Sequence, residues 1–105
     1  MPSRKKRLEW HEAAILELAE SLAWYRERNP TAASRMRKAV DQAARSLIAA
    51  TVPLSGRLGV VAGTRERVVG NRIPFTLVFV RDSTTGDCTI YRCIHQRRRY
   101  PEEAF

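Results

Sequence analysis

Apolar residues recur every three or four positions up to about residue 50 and every second position after residue 63, with Pro53, Gly56, Gly59 and Gly63 in between. A helical period followed by a strand period, separated by residues that break both, predicts two helices and then a sheet. The helical part divides at Asn29 and Pro30. Asparagine is a good N-cap, and proline at the first helical position loses only an N–H that would be unpaired there anyway.

The first predicted helix spans 11–28, with Ile15, Leu18, Leu22 and Tyr25 on one face and Ala19 between them. The second runs from the Asn29–Pro30 restart to about residue 50, with Ala33, Met36, Val40, Ala44 and Leu47 on one stripe. So short a link predicts an antiparallel helical hairpin. The strand candidates are "TRERVVG" (64–70), "IPFTLVFVR" (73–81) and "CTIYRCIH" (88–95). "DSTTGD" and the Gly70, Asn71 pair supply the turns between them. Leu8 and Trp10 alternate with polar neighbours, so "RLEW" reads as a short first strand, and 53–63 as a loop. The fold class is α+β: a short N-terminal strand, an antiparallel helical hairpin, then an antiparallel sheet of three further strands. The 105 residues suit one domain. Its expected core is Trp10, Ile15, Leu18, Leu22, Met36, Val40, Leu47, Phe75, Leu77, Phe79, Ile90 and Ile94, with Ile90 and Ile94 on a common strand face.

Several chemistries are excluded. Gly56, Gly59 and Gly63 follow a helix and lack the Gly-Lys-Ser/Thr of a phosphate loop. His11 has no spaced ligand partners, so neither a metal nor a cofactor is expected. Cys88 and Cys93, five apart in one strand, are placed on opposite faces as reduced thiols that neither pair nor share a metal. No run of about 18 apolar residues suggests a membrane span, and "MPSRKKR" is not followed by the apolar stretch of a signal peptide. A cytoplasmic location is the expectation.

Charge is distributed unevenly on a chain of formal net charge +8. Residues 9–27 hold five of the 11 acids, whereas 57–99 hold nine arginines, no lysine and only Glu66, Asp82 and Asp87 against them. Arginine's planar fork suits bidentate contact with phosphate or carboxylate, so the second half reads as a contact surface for an acidic partner. Alternation puts Arg65 and Arg67 on one strand face, Arg81 ends the next strand, and "HQRRRY" follows the last. A histidine beside arginine and tyrosine carries the groups of a metal-free ribonuclease; a solvated basic end is the other reading of the same residues.

In order and spacing, "LEWHEAAILELAESLAWYRERNPTAASR", "SGRLGVVAGTRERVVGNRIPFTLVFVR" and "TIYRCIHQRRRYPEE" resemble the RelE/ParE superfamily of type II toxin–antitoxin toxins over residues 7–103. The resemblance implies a growth-inhibiting toxin, as in plasmid stabilisation, blocked by a cognate antitoxin protein. One branch cleaves mRNA on the ribosome, and there His95, Arg97 and Tyr100 would be the catalytic set. The ParE branch poisons DNA gyrase. The cleaving branch often carries arginine where "PFTLVFV" has Thr76, while the "LEW" strand and the Asn-Pro restart are closer to ParE. The resemblance therefore favours a gyrase inhibitor, with Arg65, Arg67, Arg81, Arg97 and Arg98 contacting target or antitoxin. An mRNA-cleaving enzyme is the alternative, and a non-toxic basic binding module the second alternative.

Overall fold

The computed structural model describes residues 5–49, the backbone of 57–58, 63–70 and 72–96. The elements in chain order are β1 (Leu8–Trp10), α1 (Glu12–Arg28), α2 (Pro30–Ser46), β2 (Arg57–Leu58), β3 (Arg65–Gly70), β4 (Ile73–Arg81) and β5 (Cys88–His95). The five strands form one sheet in the order β1-β5-β4-β3-β2. The three long strands are antiparallel neighbours, as expected, and β1 joins the outer side of β5 in parallel. The stretch 53–63, expected as a loop, contributes the two-residue strand β2, which pairs with Arg65 and Glu66.

One residue makes the helical hairpin. The Asn29 N–H closes α1 on the Tyr25 carbonyl at 2.6 Å, and its side-chain oxygen caps α2 by accepting from the Ala32 N–H at 3.0 Å. Pro30 occupies the first helical position of α2, as its fixed φ favours. Between β4 and β5, Asp82 accepts from the backbone N–H groups of Thr84 and Thr85 at 2.7 and 2.9 Å, and Gly86 takes a φ of +79°. Those two N–H bonds favour the carboxylate and lower the pKa of Asp82 below its ordinary value.

The core lies between the helices and one sheet face. Leu22, Met36, Val40 and Leu47 meet Ile73, Phe75, Leu77, Phe79 and Ile90 there, with Leu18 and Trp10 packed at the margin. Two expectations fail. Ile15 is exposed, because α1 turns Ala14, Leu18, Leu22 and Tyr25 inward instead. Ile94 is buried, but on the opposite sheet face from Ile90. The pairing shifts between Val78 and Phe79, so that Tyr91 and Arg92 both stay exposed as a β-bulge. The same bulge overturns the placement of the cysteines. Cys88 and Cys93 lie on one face, and both belong to the core.

Candidate contact surface

Sheet register decides where the expected arginines lie. Arg65 stands opposite Phe79, Arg67 opposite Leu77, and Arg81 opposite Cys88. Residues directly opposite in an antiparallel pair share a face. Since Phe79 and Arg81 are two apart on β4, all three arginines emerge on the helix side of the sheet, each partly buried. Strand spacing and rise put the Arg65 and Arg81 backbones roughly 8 Å apart. Val69, two residues beyond Arg67, packs on the core, while the intervening Glu66 is buried on the far face. Burial pushes the Cys88 thiol up to about 11, and the nearby Arg81 charge works against that shift. The Cys93 thiol is pushed up to about 12, first by burial and then by the charge of Glu17. Neither cysteine is a nucleophile near neutral pH.

His95 belongs to a different corner. It stands opposite Phe75, half-buried, with its ring edge-on to the Phe75 ring at 5.5 Å between centroids. Its Nε2 shares a 2.7 Å hydrogen bond with the Tyr25 hydroxyl on α1. By strand spacing and rise the His95 backbone is about 20 Å from that of Arg81, about 17 Å from Arg65 and about 12 Å from Arg67. Thr76 is buried on the face away from the helices, between Val68 of β3 and Ile94 of β5. Arg97, Arg98 and Tyr100 lie outside the described residues. Among the described residues, the structure brings together Arg65, Arg67 and Arg81 on one face and leaves His95 apart from them.

Two features were missed by reading the sequence. A groove of about 550 Å³ along α2 has Trp10, Leu18 and Val40 among its apolar walls and Arg37, Lys38 and Arg45 among its charged ones. Its signal was present in the sequence, since 35–45 holds four cations against Asp41 alone. The other is the outer edge of β5 beyond β1. There Glu17 of α1 accepts from Arg92 Nε at 2.9 Å and Nη2 at 2.5 Å, and from the Cys93 N–H at 3.1 Å. This carboxylate fills the place of a neighbouring strand at the bulge. No sequence signal links residues 75 positions apart.

No protein-family model matches the sequence, and no curated protein matches it significantly. Among solved structures, a chain of the "Chromosomal ParDE TA system from P. aeruginosa" is similar to it with a TM-score of 0.72. The two are 21% identical, and the likeness covers 87% of this chain and 96% of that one. At this identity the likeness concerns the fold alone, and it agrees with the α+β fold expected from the sequence.

Proposed function

We propose that this chain is the toxin of a type II toxin–antitoxin pair, in the ParE branch of the RelE/ParE superfamily. In this reading it is one toxin domain, acts in the cytoplasm by poisoning DNA gyrase, and is neutralised by a cognate antitoxin. The observation that carries the reading is the nearly full-length likeness in fold to a chain of a ParDE system. In this reading Arg65, Arg67 and Arg81 form a surface offered to the acidic segments of antitoxin or target, and Arg97 and Arg98 are further contacts.

Gyrase is favoured over mRNA by the arrangement around His95. That ring is engaged by Tyr25 and Phe75, its backbone about 12 Å from that of Arg67 and about 20 Å from that of Arg81, and Thr76 stands in place of a phosphate-binding arginine. General acid–base cleavage needs a proton-transfer group and a cation within reach of one phosphate.

The deciding experiment is induced expression with parallel measurement of the DNA-damage response and of mRNA integrity. Growth arrest with DNA damage and intact mRNA is expected, relieved by co-expression of the product of a short neighbouring gene. Rapid mRNA cleavage without DNA damage would establish the ribonuclease alternative. Harmless expression would leave only a basic binding module.

A further inference from the structure

The outward side of α1 is unusually apolar for a surface helix. Ile15 and Leu16 are 52% and 54% exposed, and the small residues Ala19 and Ala23 continue the strip along the same side, also exposed. The strip is bounded by exposed Glu12 at the N-terminal end of the helix and exposed Arg26 in its last turn, and neither is in an ion pair among the described residues. Glu12, Leu16, Ala19, Ala23 and Arg26 are spaced four, three, four and three, the heptad seam of a helix that packs lengthwise on another.

The strip has an approximate twofold relation about Ala19, which Glu12 with Arg26 and Ile15 with Ala23 obey and Leu16 does not. If a second copy of α1 lies antiparallel with the twofold axis at Ala19, residue i faces residue 38 − i. Glu12 then meets Arg26 of the second copy, Ile15 meets Ala23, and the two Ala19 residues meet at the centre. Opposite charges pair at both ends and Ile15 faces the smaller Ala23, while Leu16, whose counterpart Leu22 is buried in the core, lies at the margin of the contact. Side chains as small as alanine at the crossing let the axes approach to about 8 Å. A parallel arrangement would instead place Glu12 against Glu12 and Arg26 against Arg26. Charge complementarity therefore selects both the occupant and its direction.

We infer that the exposed side of α1 is a self-association surface, on which two copies of this chain pair through antiparallel α1 helices centred on Ala19. The contact is isologous, so it closes as a dimer and does not propagate. One 17-residue helix against its copy buries less than the roughly 800 Å² per partner of a standard interface, so the dimer is weak and concentration-dependent. The surface is separate from the Arg65–Arg81 face, and the inference holds whether or not the chain is a toxin.

The test is sedimentation velocity of the full-length chain from micromolar to millimolar concentration, with charge-reversal variants. The expected result is a monomer–dimer equilibrium. Glu12→Arg or Arg26→Glu alone should raise the dissociation constant about tenfold, because symmetry changes two pairs at once. The double variant Glu12→Arg/Arg26→Glu should recover dimerisation. Ala19→Cys should form an intermolecular disulfide on mild oxidation, since Cys88 and Cys93 are buried. All these positions are exposed, so circular dichroism should match the parent chain; if a reversal unfolds, Glu12→Gln and Arg26→Gln replace it, with a smaller weakening expected. A chain that stays monomeric throughout overturns the inference, as does a dimer indifferent to the single reversals or not recovered by the double. A partner protein whose binding is lost in the same variants, with the chain itself monomeric, would assign the surface to that partner instead.

Discussion

Glu17 shows how much one side chain can organise. Its two oxygens serve the Arg92 guanidinium and the Cys93 N–H together, at the place where β5 has lost its strand neighbour. Replacing it with alanine leaves a half-buried backbone donor without a partner, so Glu17→Ala should cost about 2 kcal/mol in urea unfolding. Arg92→Ala should cost under about 1 kcal/mol, because that guanidinium is substantially exposed and its ion pair is screened by solvent. Equal losses in the two variants would mean that the ion pair, and not the strand edge, is what Glu17 supports. The cysteines make a second residue-scale prediction. With thiols raised from an ordinary 9.0 to about 11 and about 12, the folded chain keeps both protons at pH values where the unfolded chain loses them. Their contribution to stability is therefore full below about pH 9 and falls as pH rises towards 11 to 12. Thiol reagents at pH 8 should label neither cysteine until the chain is unfolded, and fast labelling of either one in the native state would refute its burial.

At the scale of elements, the turn chemistry was legible and the bulge was not. The strands 73–81 and 88–95 have the bounds expected from alternation and from "DSTTGD", because aspartate, threonine and glycine there satisfy the turn locally. Asn29 was legible for the same reason, and it serves both helices. Asn29→Ala should destabilise the chain by about 1 kcal/mol, visible as a lower urea midpoint, with Asn29→Gly less affected. The bulge at Tyr91 and Arg92 depends on Glu17, far away in sequence, so nothing local announces it. With the bulge unseen, two-residue alternation assigns Ile94 and Cys93 to the wrong faces. Ile15 failed differently: a three-and-four spacing can be counted from Ile15 or from Ala14, and only the packed sheet decides between them.

For the whole molecule, the arginines on the helix face of the sheet were legible as a charge bias and as strand parity, but their distance from His95 emerged only from the register. That distance yields the functional prediction. Combined Arg65→Ala and Arg67→Ala should weaken antitoxin or gyrase engagement at least tenfold, with a shallower salt dependence and an unchanged circular dichroism spectrum. His95→Ala should leave growth inhibition nearly intact while lowering stability by about 1 kcal/mol, through loss of the Tyr25 hydrogen bond. Abolished toxicity in His95→Ala with native stability would return the histidine to a catalytic role.

The parallel pairing of β1 with β5 also has a consequence in time. Leu8, Glu9 and Trp10 must wait for Cys88, Thr89 and Ile90, which leave the ribosome some 80 residues later. At about 5–20 residues per second, translation keeps these partners apart for several seconds, during which the helical hairpin forms from local contacts alone. Among the described strands β5, which receives β1, is the last to be synthesised, and it also carries residues against which α1 packs. A chain released before residue 88 therefore leaves α1 and β1 without the strand they pack on and pair with. Fragments that end before β5 should be cleared by proteolysis as incompletely folded peptides.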